Sequence, residues 1–302
     1  MELKWLEDFL VLATTRSFSK AAEERHTTQS TLSRRIQQLE DWLGVQLISR
    51  SSYPVNLTRA GNHFYRQAVE IVRTTYRARV GARRIGLHTT DPLRISAQHV
   101  LARHFLPELM AEIEQQINLG PCILKSDNLN NCLKDLINDE VDFIVCFHQQ
   151  TMPDLLDVRN YSWLTLSLDQ LIPVSIPDEE GNALFQLPGT AEQPVHCIGF
   201  SSENPIGWQR QARMTRSDVE LHINPVYEST MGDMIRDMVL EGRGMAWLQA
   251  MLVNGDLKSG RLVPAGSQSW NQQIEIRLLR TRDTSREVVE NAWNLLARKY
   301  SS

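Results

Sequence analysis

Apolar residues recur at helical spacing from the start of the chain. Leu3, Leu6, Leu10 and Ala13, with Phe9 and Leu12 beside them, predict a helix over Leu3–Thr14. A short apolar turn follows at Phe18–Glu23, where Ala21 and Ala22 allow close helix contact, and then a polar break at Glu24–Thr27. A third helix opens on Thr28, whose hydroxyl suits an N-cap, and closes at Gly44, which suits the left-handed C-cap. Its core stripe is Leu32, Ile36, Leu39 and Leu43, while Ser30, Ser33, Arg34 and Gln37 spread over the outward side with Gln29 at the edge. Val45–Ile48 and Val55–Leu57 flank a polar tip, Ser51–Pro54, and read as a two-stranded wing.

Thr58 caps a long helix that runs to about Gly86. Phe64, Ala68, Ile71, Thr75, Ala78, Ala82 and Ile85 alternate spacings of four and three, a heptad seam. A second strip, Tyr65, Val69, Val72 and Tyr76, lies next to it. One strip is expected to pair with a partner chain and the other to pack on the head.

Charge sharpens this picture. The 302 residues carry a net charge of −4, yet residues 1–90 hold 14 Lys/Arg against 8 Asp/Glu and the remainder 18 against 28. A basic head on an acidic body fits a nucleic-acid module joined to something else. Arg, Gln and Ser are the side chains that read base edges, and they crowd the half of the third helix that enters a major groove. The expected DNA-contacting set is Thr28, Gln29, Ser30, Ser33, Arg34 and Gln37. In the wing, Arg50 and Tyr53 are placed to reach phosphate or the minor groove, with packing on the wing base an alternative for Tyr53.

The residues Phe9-Leu10-x-Leu12-Ala13, Ser17-Phe18-Ser19-x-Ala21-Ala22, Gln29-Ser30-x-Leu32-Ser33-x-x-Ile36-x-x-Leu39-Glu40-x-x-Leu43-Gly44-Val45 and Leu57-Thr58-x-Ala60-Gly61 resemble the LysR-type transcriptional regulators. Ser30 stands where the family usually has proline, and Ile48 where it usually has phenylalanine. Farther on, Leu136–Val145 resembles the family's "L-x-x-G-x-L-D" segment, with Asp139 replacing the glycine. Gly242–Leu248 resembles its glycine-rich turn and strand, and there Gln249 replaces proline. The resemblance implies an α+β multidomain chain. A winged helix-turn-helix occupies 1–58, a linker helix 59–90, and a two-lobed α/β effector domain like periplasmic binding proteins 91–302. The lobes are expected at about 91–165 plus 266–302 and at 166–265. It also implies a homodimer through the linker helix, paired into a tetramer on an inverted-repeat operator in double-stranded DNA.

Short apolar runs in the second part predict strands at Leu93–Ala97, Cys122–Lys125, Asp142–Phe147, Gln170–Ser175 and Gly244–Leu248. Ligands bind beyond the carboxyl ends of such strands. That rule selects Ser96, His99, Asn128, Cys146 and His148 from one lobe, and Ser201, Thr230 and Met231 from the other. Serine, asparagine and helix N-termini suit an anionic or polar small-molecule effector. Met231, Met234 and Met238 fall on one helix face. Core packing is the ordinary reading of such a stripe. Oxidant sensing is the alternative, and the stretches Phe147-His148 and Gly244–Leu248 are similar to the hypochlorite-responsive branch of the family.

Cys122, Cys132, Cys146 and Cys197 form no CxxC pair and no metal-ligand spacing. No metal or cofactor is expected, and no nucleophile motif or phosphate loop points to an enzyme. The opening residues lack a signal-peptide core and no run reaches membrane-spanning length, so the expected compartment is the cytoplasm.

Overall fold

The computed structural model describes residues 1–49, 54–86, 92–149, 160–200, 220–282 and 286–300. The chain forms two compact units, Met1–Thr89 and Thr90–Ser302.

In the first unit, helices α1 (Leu3–Thr15), α2 (Phe18–Glu24) and α3 (Gln29–Leu43) meet around Leu6, Phe9, Leu12, Ala21, Leu32, Ile36 and Leu39. Leu43, expected in the core, is only partly buried, because α3 is already turning into its cap. The Thr28 hydroxyl accepts from the Thr31 N–H at 3.2 Å, and Gly44 takes φ +71°. The wing is short: β1 (Ile48–Ser49) pairs antiparallel with β2 (Asn56–Leu57). Buried Glu40 accepts from the N–H groups of Leu47 and Ile48, at 2.7 and 3.0 Å, which fixes where the wing leaves α3.

Helix α4 (Arg59–Gly86) is one continuous 28-residue helix. The two strips expected along it divide differently from the sequence pattern. Phe64, Tyr65, Ala68, Val72 and Tyr76 pack on the head core, so both strips share that task near the N-terminal end. Farther along, Ile71, Thr75, Ala78 and Ala82 of the heptad seam stay exposed.

The second unit is built on one seven-stranded sheet. β3 (Leu93–Gln98) pairs parallel with β4 (Cys122–Asp127) and with β5 (Phe143–His148). β11 (Gln272–Thr281) runs antiparallel to β5 and to β6 (Tyr161–Ser175), and β6 also takes β9 (Ala246–Gln249) and β10 (Val263–Pro264). β7 (Val195–Phe200) and β8 (Ile223–Ser229) form a separate parallel pair. The helices are α5 (His99–His104), α6 (Leu106–Glu114), α7 (Leu129–Ile137), α8 (Gly232–Leu240), α9 (Ala250–Ser259) and α10 (Glu287–Tyr300).

Sequence reasoning found β3, β4 and β5 but missed β11 and the first half of β6. Residue 165, the expected lobe boundary, lies inside β6. Its partner strand shifts register there, between Ile276 and Arg277. Asp139 holds φ +55°, the left-handed backbone that a glycine would otherwise supply, and the Pro107 position opens α6. Among the described residues, no helix is long and apolar enough to cross a membrane.

Candidate nucleic-acid interface and effector cleft

Two neighbouring arginines on α3 do opposite things. Arg35 turns inward and donates to buried Asp8 at 3.1 Å. Arg34 is exposed and makes no ion pair among the described residues. Thr28, Gln29, Ser30 and Gln37 are exposed with it, while Ser33 is partly buried. Gln29 accepts from the Ser19 hydroxyl at 3.2 Å, which ties the start of α3 to α2. The outward face of α3 therefore offers one free guanidinium among hydroxyl and amide groups, the set that pairs with base edges and phosphates. Arg50 and Tyr53 lie outside the described residues.

The sequence pattern did not reveal what holds this helix in place. Asp8 is fully buried on α1 and accepts from Arg25 at 2.8 Å as well as from Arg35. Glu7 accepts from Arg25 at 2.6 Å and from the Tyr76 hydroxyl at 2.5 Å. Arg25 sits in the break between α2 and α3, so two carboxylates brace that turn. An acid inside the apolar pattern of α1 was the available signal, since a buried carboxylate needs partners.

In the second unit a cleft is lined by Gln98, His99, Val100, Asp127, Asn128 and Phe147, together with Phe200, Thr230, Gly232 and Gln249. Its volume is about 20 Å³, close to the space one ordered water needs. His99, Asn128 and Thr230 were expected at a ligand site and do meet here. The His99 ring nitrogen Nδ1 bonds the Ser126 hydroxyl at 2.8 Å, and Asn128 caps α7 by accepting from the Asn131 N–H at 2.9 Å.

Four other expected residues do not line the cleft. Ser96 is fully buried two residues before Gln98 on β3, where its hydroxyl donates to Cys132 at 3.2 Å and to Asp135 at 3.4 Å. Cys146 is buried with Cys132, Leu129 and Ile144 behind the sheet. His148 is held in the β5–β11 ladder opposite Glu275. Alternation on β5 sends Cys146 and His148 to the face opposite Phe147, whereas Ser96 lies two residues short of Gln98 and below the cleft-facing end of β3. Met231 is 45% exposed at the N-cap of α8 and Met234 is 53% exposed, so core packing describes only Met238 of this stripe, which packs partly buried on the core. Ser201 lies outside the described residues.

Gln98 and Gln249 were missed although each ends its strand, β3 and β9. The expected strands stopped one residue early, and Gln249 drew notice only as a missing proline. Gln98 accepts from the Phe147 N–H at 2.7 Å. Burial pushes the thiols of Cys132 and of Cys146 and Cys197 up, to about 11 and about 12 respectively, which leaves them protonated and unreactive at neutral pH. Among the described residues, no group of three or more His, Cys, Asp or Glu could hold a metal ion.

Residues 3–62 match the family described as bacterial regulatory helix-turn-helix protein, lysR family, and residues 88–301 match the LysR substrate binding domain. The HTH-type transcriptional regulator YjiE of Escherichia coli is 29% identical over 98% of this chain and 94% of its own length. The crystal structure of Vibrio fischeri DarR in complex with DNA is 29% identical, covers 98% of both chains and superposes with a TM-score of 0.58. Full-length HypT of Salmonella typhimurium, a hypochlorite-specific LysR-type regulator, is 24% identical, covers 100% of this chain and 99% of its own, and shares the fold with a TM-score of 0.59.

Proposed function

The chain belongs to the LysR family of bacterial transcriptional regulators, and from that premise we propose how it reads DNA and what part of it responds to a signal. A homodimer, paired into a tetramer, binds an inverted-repeat operator in the cytoplasm. Each head places the outward face of α3 in the major groove, with Arg34 aimed at a base edge or phosphate and Thr28, Gln29, Ser30, Ser33 and Gln37 around it. A small molecule in the cleft of the second unit then changes the relative stability of two arrangements of that unit, and only such differential binding can shift the output.

The observation that carries this reading is the contrast between Arg34 and Arg35. One guanidinium is spent on Asp8 and the other is left exposed on the same helix. Binding-site selection with the wild type and Arg34→Ala tests it. The variant is expected to lose about 1–3 kcal/mol and to relax preference at one base pair. Identical preferences in the two selections remove Arg34 from the reading set.

A second reading is favoured by Met231 and Met234. Both are exposed beside the cleft residues Thr230 and Gly232, and the Ser229 hydroxyl donates to the Met234 sulfur at 3.5 Å. Sulfoxide formation there makes the start of α8 polar and bulkier next to the cleft. A Met231→Gln, Met234→Gln double variant with constitutive reporter output supports this reading. Full oxidant response in that variant removes it.

A further inference from the structure

The side chains around the cleft point to the charge of its occupant. We propose that the cleft takes a small hydrogen-bond donor, an ammonium-bearing molecule with a short apolar body, and rejects anions. This rests on the reading of the cleft as the effector site.

Gln249 is 2% exposed and lines the cleft, and its buried Oε1 has no donor among the described residues. A buried acceptor left unpaired is costly, and an incoming N–H removes that cost. Asp127 is the one charged side chain of fixed sign in the lining. Its Oδ1 already accepts from the Asn128 N–H and the Asn131 amide, both at 2.8 Å, while Oδ2 has only Lys125 at 3.9 Å. Among the described residues, no Lys or Arg lines the cleft. Phe147 and Phe200 supply the apolar wall, and aromatic faces favour an ammonium.

Helix N-termini would ordinarily argue for an anion here. Three helices long enough to count open at the cleft. α9 starts at Gln249 with no side-chain cap and no acid in its first turn, so its N-terminus favours an anion, and Asp127 and the Gln249 Oε1 oppose it. The other two are already served. α7 opens on Asp127 and the Asn128 cap, and α8 carries Asp233 in its first turn. Asp233 also accepts from Arg103 at 3.1 Å and pairs with His104 at 3.4 Å, so α5 and α8 are joined beside the cleft. An anion entering would meet Asp127 and an unpaired amide oxygen.

Size limits the occupant as well. A Cβ on Gly232 would sit 2.7 Å from the Val100 methyl, so the two walls touch at that point. Anything larger than water has to part Val100 from Gly232.

Calorimetric titration of the full-length protein with three probes of one skeleton tests the proposal: n-propylammonium chloride, propionamide and sodium propionate at millimolar concentration. The ammonium is expected to bind most tightly, the amide more weakly and propionate not at all. Asp127→Asn keeps the α7 cap acceptor and is expected to weaken ammonium binding by about tenfold, as for a lost charge-assisted hydrogen bond. Gln249→Glu is expected to tighten it several-fold. Gln249→Leu, an apolar replacement of similar size, is expected to fold with an unchanged melting temperature and to lose ammonium binding.

Tighter binding of propionate, lost in Gln249→Leu, overturns the ligand class and leaves the cleft reading standing. Absence of ammonium binding, or binding indifferent to Gln249→Leu, also overturns the proposal. Gly232→Ala separates the deeper failure, because it wedges the two walls apart without a ligand. If no probe binds and Gly232→Ala leaves reporter output unchanged, the effector cleft itself is wrong.

Discussion

The Tyr76 hydroxyl donates to the Glu7 carboxylate across 2.5 Å, joining the linker helix to the first helix of the head. Glu7 shares Arg25 with Asp8, and Asp8 holds Arg35 of α3. The chain of contacts runs from α4 through α1 to the turn and to α3. This bracing fixes α3 by charge as well as by apolar packing.

Removing Asp8 leaves Arg35 without its carboxylate, Arg25 with Glu7 alone, and a buried gap in the cluster. Asp8→Ala is therefore expected to destabilise the head by about 3–5 kcal/mol. Urea unfolding checks this, and a loss under 1 kcal/mol would show that the cluster contributes little.

Tyr76 gives the same cluster a pH signature. Its hydrogen bond to Glu7, with burial, raises the phenol above its ordinary value of 10.0. A raised acid contributes stability below its unfolded pKa, and that contribution is lost as pH rises through the folded value. The head of the wild type should weaken above about pH 10 and that of Tyr76→Phe should not show this added loss. Ultraviolet pH titration of the two proteins reads the difference.

Gly61 has no room for a side chain. An added Cβ would lie 2.1 Å from the Leu47 carbonyl oxygen, where the wing leaves α3, whereas one on Gly81 in the same helix would meet nothing within 4 Å. Gly61→Ala is expected to cost about 1–3 kcal/mol or more. Gly81→Ala should gain about 0.5–1 kcal/mol from backbone entropy. Thermal melts of the two variants that move in the same direction would contradict the packing argument.

The exposed part of the heptad seam sets up the dimer test. Ile71→Glu and Ala78→Glu add charge where the head core makes no claim on the side chain. Dissociation in sedimentation velocity, with an unchanged monomer fold by circular dichroism, is expected. An unaltered sedimentation profile places the pairing elsewhere.

Cysteine chemistry separates the redox readings. Cys132, Cys146 and Cys197 are buried with raised thiols, while Cys122 is partly exposed and less strongly raised. Iodoacetamide at pH 8 should modify Cys122 first and the other three only on unfolding. Rapid native labelling of Cys132 or Cys146 would contradict their burial and point to a thiol switch.

Local rules carried far in the head because its elements are set by neighbours in sequence. The 3.6-residue stripe of Leu32, Ile36 and Leu39, the Thr28 cap and the Gly44 turn are all short-range signals, and they located α3 within a residue. In the second unit, strand ends defined the cleft only roughly. Cys146 lies off the cleft because one residue of alternation decides which face a side chain joins, and the sequence does not say which face of β5 meets the cleft; Ser96 lies off it because only the end of β3, at Gln98, reaches the cleft.

By itself the sequence determined the helix-turn-helix, its outward polar face, the long basic helix and the family. These follow from periodicity, capping and charge. The helical wheel placed Arg34 outward; the tertiary structure alone decided what Arg35 does, because only the position of Asp8 shows that it is held inward. It alone decided which part of the linker seam remains uncovered and that Gln249 ends with an unpaired oxygen beside Asp127. Each depends on contacts between residues distant in sequence, whose burial and charge no local pattern records.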